Sequence, residues 1–427
     1  MIAKMAGGAI FALAFASQSI GATPTFNKDI APILYQNCVT CHRPGEVAPF
    51  SLLTYQDAAK RAKLISTVTE RRYMPPWKAE PGYGSFANER RLTSQQIGLI
   101  QSWAEAGAPE GDPADKPKPP VFAAGWLGGE PDRVVTLLQK YSVPADGPDK
   151  FVCFVLPLNL DKDVFVSTTE FRPDNRRIVH HALTYLDTGK AARKLASADG
   201  SYPCFGGPGF TSATLLGGWA PGAVPSAKDD NLSTPVPAGS DLVIQIHYHP
   251  SGKAEQDQSS FGLSFASYPP TLGRTVVLMF NPRIDIVPGD SQYVVKSSVT
   301  LPRDVRLTGI TPHAHLLCKD MKVTATLPDG TVRQLLWIKD WDFNWQGRYQ
   351  YKEPLSLPKD TRIEMVYTYD NSESNLRNPS HPPIRVRWGE QTSDEMAVLF
   401  LGIVLPALED VPAFQREMAL ELRKAVR

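Results

Sequence analysis

The stretch Thr311-Pro-His-Ala-His-Leu-Leu-Cys-Lys-Asp-Met321 holds two histidines one residue apart. Apolar, β-branched runs flank it, Val305–Ile310 before and Val323–Leu327 after, so it reads as strand. Alternate side chains of a strand share a face. His313 and His315 then project together, as two imidazoles able to reach one metal ion. A third ligand is needed. Met321 has the right parity but lies about 20 Å along an extended strand from His315, which leaves Met279, Met365, Met396 and Met418 open. A second group of histidines occupies two other strand-like runs: His180-His181 within Arg177–Tyr185, and His247 and His249 within Leu242–Pro250. Neighbouring strand residues face opposite ways, so His180 and His181 can share a metal only at a bulge or a strand end. A strand alongside, carrying His247, would complete three imidazoles. Three imidazoles suit copper in either oxidation state, and a thioether favours Cu(I). Zinc also accepts three histidines, so a hydrolytic zinc site is the competing chemistry.

A different chemistry stands nearer the N-terminus. Cys38-Val-Thr-Cys-His42 has the spacing of a c-type haem attachment, in which both thiols add to haem vinyl groups and the histidine ligates the iron. The sixth ligand should be Met or His. Residues 43–112 contain no further histidine and one methionine, Met74, in Arg71-Arg-Tyr-Met-Pro-Pro-Trp77. The two prolines make a stiff extended segment able to carry Met74 across the haem face.

The elements that must position these groups change character along the chain. Residues 23–112 read as a compact helical domain. Lys28–Tyr35 forms a short apolar-faced helix, and Thr93-Ser-Gln-Gln96 is a capping box before a helix that buries Ile97, Ile100, Trp103 and Ala104 and stops near Gly107. The unit resembles a class I cytochrome c. The proline-rich run Gly111–Pro120 predicts an extended linker, assigned to 113–122. Short β-branched runs between Pro, Gly, Asn and Asp clusters then predict all-β sandwiches at 123–269 and 270–427, divided near Tyr268–Gly273. Only Ala413–Val426 reads as helix again.

The formal net charge is +1 and no basic block occurs, which argues against a nucleic-acid partner. Residues 1–22 read as a signal peptide, with Lys4, an apolar Met5–Ala16 run and a small-residue cleavage site at Ser19–Ala22. The run is shorter than the ~20 residues that cross a bilayer, so the mature protein is expected without a membrane span, in the periplasm or secreted. Disulfides persist there. Cys153–Cys204 is the expected bridge among three formal connectivities, leaving Cys318 as a buried thiol.

The order His180-His181, then Ile246-His-Tyr248, then Pro312-His-Ala-His-Leu316, then Gly389-Glu-Gln-Thr-Ser-Asp-Glu-Met396 resembles the copper type II, ascorbate-dependent monooxygenase family, which includes the peptidylglycine α-hydroxylating and dopamine β-monooxygenases. The resemblance spans roughly residues 145–410. It implies two jelly-roll-like sandwiches and two copper ions. His180, His181 and His247 would hold the electron-transfer copper; His313, His315 and Met396 would hold the copper where O2 binds and a small-molecule substrate is hydroxylated. His249 and His381 receive no role. The family's peptide-hydroxylating members grip a substrate carboxylate with an arginine, an asparagine and a tyrosine. The matching positions here are Thr311, Val398 and Phe400, so the expected substrate is a small organic molecule other than peptidylglycine. Electrons would come from an external donor, ascorbate or a redox protein, through the fused haem c. The alternative is a non-catalytic haem/copper electron carrier or copper-binding protein on the same scaffold.

Overall fold

The computed structural model describes residues 23–426 apart from 47, 88, 123, 124, 212, 222, 224, 226 and 227; the expected signal peptide at 1–22 lies outside the described residues. Most of the chain is β-sheet, and every pairing between strands is antiparallel.

The helices gather at the N-terminus. Ala31–Asn37, Tyr55–Ala59, Ala62–Glu70 and Ser94–Glu105 enclose a small core of Phe26, Ile30, Leu34, Ile65, Ile100 and Trp103. The Ser94–Glu105 helix starts where the sequence predicts, with Thr93 and Gln96 exchanging both capping-box hydrogen bonds. The linker departs in one detail. Asp112 accepts from the Ala114 N–H and caps a single turn at Pro113–Asp115 inside the otherwise irregular run.

In the first β unit, the sheet Arg133–Thr136, Ser260–Phe265, Val164–Arg172 and Thr234–Val236 packs on a five-stranded sheet. The latter runs, in spatial order, Ser201–Pro203, Lys150–Pro157, Asp241–Tyr248, Val179–Asp187 and Thr214–Trp219. Phe171, Phe261 and Leu263 of one sheet meet Phe154, Ile244 and Ile246 of the other in a common core. The expected Cys153–Cys204 bridge is present, joining the Lys150–Pro157 strand to the segment after Ser201–Pro203, and Cys318 is a buried free thiol.

In the second β unit, one sheet orders Gly273–Phe280, Val398–Leu405, Val305–His313 and Tyr349–Leu357. The other orders Tyr293–Thr300, Arg362–Tyr369, Cys318–Thr326 and Val332–Ile338. Their shared core also takes Phe414 and Met418 from the C-terminal helix Val411–Val426, and Ala79 and Phe86 from the N-terminal unit. Those last two arrive through a strap after the Ala62–Glu70 helix. Ala79 bridges to Ile338, Phe86 bridges to Tyr351, and the Glu80 N–H donates to the Trp337 carbonyl at 2.7 Å.

The 311–321 stretch is not one strand, as the sequence reading expects. Val305–His313 belongs to one sheet and Cys318–Thr326 to the other, and residues 314–317 carry the chain between them. Buried Ala314 and Leu317 hold this crossing to the core, and the buried Glu395 carboxylate accepts from the N–H groups of His315 (2.9 Å) and Leu317 (2.6 Å). Two layers compete for the apolar runs on either side of the histidines, and the corner between layers falls on His315.

Candidate metal centres

The three-histidine cluster arises from a register fault. His181 lies directly opposite His247 on the neighbouring strand, and the pairing slips between Val179 and His181, which makes His180 the extra residue of a bulge. The bulge turns His180 to the side of its neighbour. His180 Nδ1 and His181 Nδ1 are 3.2 Å apart, and His247 Nδ1 and His181 Nδ1 are 3.3 Å apart. Imidazole nitrogens bound to one first-row ion at ~2.0 Å stand at such separations. Burial first, then the neighbouring imidazole of His247, pushes the His180 ring down to about 3. The same causes hold His181 well below its ordinary value. Both rings are therefore neutral at pH 7, the protonation state a metal ligand requires.

The cluster is braced from outside. Phe151 stacks on His247 with ring centroids 4.2 Å apart. Asp149 Oδ2 sits 2.9 Å from His247 Nε2, at an oblique angle, so Nδ1 is the atom turned to the other histidines. Asp149 Oδ1 accepts from His249 Nδ1 at 2.7 Å, and the Thr392 hydroxyl of the second unit donates to Oδ2. Burial opposes the charge on Asp149, but the His247 and Thr392 contacts outweigh it and hold the carboxyl below the usual carboxylate range. His249 is thus an exposed partner of Asp149 outside the cluster, and His381 is an exposed residue 3.4 Å from Glu373.

The second group lies on the outer face of its sandwich. Leu399, Leu401 and Ile310 point into the core. The alternating residues Thr311, His313, Val398 and Phe400, cross-strand partners in pairs, take the other face. Beyond His313 the strand pairing ends, and His315 and Met396 are drawn together instead through one Glu395 oxygen that accepts from both their N–H groups. Met279, Met321, Met365 and Met418 are buried in the core, whereas Met396 is half-buried. Buried Tyr369 donates to the Met396 carbonyl at 2.7 Å, and Tyr367 to that of Val398 at 2.9 Å, so two rungs of the opposite sheet fix this backbone. Glu395 ties the pieces together, accepting from the Met396 N–H at 3.0 Å as well as from His315. Its burial raises the carboxyl to about 8 against those donors.

The His313 and His315 rings are 5.2 Å apart and nearly perpendicular. His315 Nδ1–H donates to the Asp394 carbonyl at 3.0 Å, and His313 Nδ1–H donates to Gln346 Oε1. Each Nε2 is thereby left as the lone-pair nitrogen. Burial, then His313, pushes His315 down to about 3, and burial lowers His313 as well. Two neutral imidazoles with fixed tautomers and an adjacent thioether residue form a donor set suited to a soft ion.

In the Cys38–His42 stretch, Cys38 and Cys41 are free thiols and Cys38 closes the Ala31–Asn37 helix. The His42 Nδ1–H donates to the Phe50 carbonyl at 3.1 Å, leaving Nε2 for an iron ion. Met74 lies one segment away, its N–H bonded to the Val68 carbonyl at the end of the Ala62–Glu70 helix. Among the described residues, two buried donors close to Met74 in sequence or packing lack a partner: Trp77 Nε1 and Trp345 Nε1. Such donors await acceptor oxygens, and a haem carries two carboxylates.

Asp149, Gln346, Glu395 and the tyrosine pair escape a reading of the sequence. Glu395 stands beside Met396 and Tyr369 obeys strand parity, but nothing local marks Asp149, which meets His247 only through folding.

No family model and no curated protein matches the chain. Among solved structures, the major capsid protein P2 from Bacteriophage PM2 aligns at 10% identity and TM-score 0.25, covering 64% of this chain and 96% of that one. A structure of infectious bursal disease virus Gx strain aligns at 10% identity and TM-score 0.18 over 64% and 72%. PNGF-II aligns at 11% identity and TM-score 0.22 over 66% and 63%. Overlaps this shallow carry no argument about function.

Proposed function

We propose that the chain is an exported copper-dependent monooxygenase that hydroxylates a C–H bond of a small organic substrate with O2 and takes its electrons through a covalently attached haem c. On this reading the helical unit is a class I cytochrome c fold and the β units are two jelly-roll-like sandwiches. The observation that carries the proposal is the meeting of three imidazoles, with the His181 Nδ1 atom 3.2 Å from that of His180 and 3.3 Å from that of His247, beside a second pair of tautomer-fixed imidazoles.

His180, His181 and His247 would hold one copper ion, and His313, His315 and Met396 the other. Cys38 and Cys41 would bind the haem, and His42 and Met74 would serve as its iron ligands. When bound, these groups supply one-electron redox chemistry at three places, so two electrons can be stored for each O2 consumed. The residues of the chain do the rest. Asp149 keeps His247 Nδ1 turned to its partners. Gln346 and the Asp394 carbonyl keep the proton of each second-site histidine on Nδ1. Thr311, Val398 and Phe400 surround the second site with no cation and little hydrogen-bonding capacity, which suits an uncharged substrate.

Metal and haem quantification on protein purified from the periplasm, with oxygen uptake after reduction, tests the proposal. Two coppers and one haem per chain are expected. Zinc in place of copper, or copper without oxygen uptake, rejects it. Met396→Ala should abolish hydroxylation and lower copper toward one per chain, while the three-histidine copper stays bound; full activity in that variant would assign the thioether to another methionine.

A further inference from the structure

The connection between Val332–Ile338 and Tyr349–Leu357 includes a six-residue loop, Trp341–Gln346, that touches His180 of the first histidine cluster, His313 and His315 of the second, and Tyr73 beside Met74. Phe343 stacks on His180 at 5.1 Å with an interplanar angle of 21°, and its ring meets His315 edge-on at 5.6 Å. One phenyl ring therefore separates the two histidine clusters. Gln346 holds His313, and its Nε2 donates back to the Phe343 carbonyl at 3.1 Å. Trp341 Nε1 donates to the His315 carbonyl at 3.1 Å. At the other end, Trp345 packs edge-on against Tyr73, 6.2 Å between centroids, next to Met74. The Trp345 indole N–H is one of the buried donors without a partner.

The loop is largely buried, with Asn344 its one exposed residue, and is bonded at both ends. Asp342 bonds the Asn344 N–H at 3.0 Å and its carbonyl accepts from Trp345 N–H at 2.9 Å, which closes the turn. Arg377 bonds the Trp341 carbonyl and pairs with Asp340 at 2.8 Å. Lys78 of the N-terminal strap pairs with the same Asp340 at 2.8 Å. A loop that served only to join two strands would not need partners in all three units.

Resting on the proposed haem and copper content, the geometry points to Trp341–Gln346 as the electron bridge between the N-terminal unit and both histidine clusters. Trp345 stands against Tyr73 beside Met74, a residue that would ligate the haem, and Phe343 lies between His180 and His315, so that the electron would tunnel through this packed segment without residing on either ring. Each transfer oxidises the haem iron from ferrous to ferric and reduces one cupric ion to cuprous. No bond forms or breaks, and the electron comes first from an external one-electron reductant. Close packing is what the route needs from these rings, since each gap in van der Waals contact lengthens the path.

The test uses full-length protein whose haem and copper content has been measured before any kinetics. The haem is reduced with one equivalent of photoreduced flavin, and its reoxidation is followed by absorbance and by freeze-quench EPR of Cu(II). In the native chain, haem oxidation should be independent of protein concentration and keep step with loss of the Cu(II) signal. Phe343→Ala and Trp345→Leu should each slow it several-fold at unchanged haem and copper content, and Phe343→Tyr, which restores the ring, should recover the native rate. Unchanged rates in Phe343→Ala and Trp345→Leu overturn the bridge while leaving the monooxygenase reading intact. Native protein without haem or without copper overturns both, and the metal analysis alone reveals that outcome. If Phe343→Ala loses copper, Trp345→Leu decides, because Trp345 bonds to neither cluster.

Discussion

Asp149 has three partners from two units, and each contact has a separate consequence. Its approach to His247 sets a carboxylate beside that ring, its bond to His249 faces solvent, and its bond from Thr392 crosses to the second unit. Asp149→Ala should weaken copper binding at the three-histidine cluster by about 10–100-fold, measured by chelator competition, whereas His249→Ala should leave the affinity unchanged. Equal losses in both would mean that the hydrogen-bonded pair, rather than the carboxylate, orients the ring. At the second site, Thr311, Val398 and Phe400 offer no partner to a carboxylate, which is costly to desolvate unpaired. Glycine-extended peptides should accordingly bind poorly in equilibrium dialysis; tight binding would require a cation from elsewhere. The ligating types were legible in the sequence because histidine pairs in strand-like runs are conspicuous. The residues that hold them were not, since Asp149 meets His247, and Gln346 meets His313, only across long sequence distances.

At the level of elements, sequence parity says that adjacent His180 and His181 need a bulge, and the register slip between Val179 and His181 supplies it. The same parity misleads at His313 and His315. It assumes one continuous strand, and the chain instead turns from one sheet to the other after His313. Periodicity cannot reveal such a corner, because apolar alternation looks alike whether the next run stays in the layer or changes it. The Cys153–Cys204 bridge fastens the edge of the five-stranded sheet that carries the histidine cluster, across a sequence separation of 51. Cys153→Ala/Cys204→Ala should cost about 2–5 kcal/mol of unfolding free energy, read from urea denaturation of the metal-free protein. A native midpoint in that variant would show that strand pairing alone secures the edge.

For the molecule as a whole, the helical unit reads in the sequence as a separate module, and in the structure it shares a core with the second sandwich. Phe86 is 1% exposed among Trp77, Tyr349 and Tyr351, although more than 260 residues of chain separate it from those tyrosines. Phe86→Ala should destabilise the second β unit by about 3–5 kcal/mol, visible as a lowered Tm of its near-ultraviolet signal; a loss confined to the helical unit would contradict the shared core. Composition could not disclose this, since the strap 74–87 has the prolines and glycines of an ordinary surface connection. The strap also bears on synthesis. Lys78 and Asp340 are 262 residues apart in the chain, so a nascent polypeptide displays Phe86 and Trp77 long before their partners leave the ribosome. Domains otherwise fold as units in order of emergence. Here the first-made strap must wait, its aromatic surface uncovered, until Ile338, Tyr349 and Tyr351 have emerged.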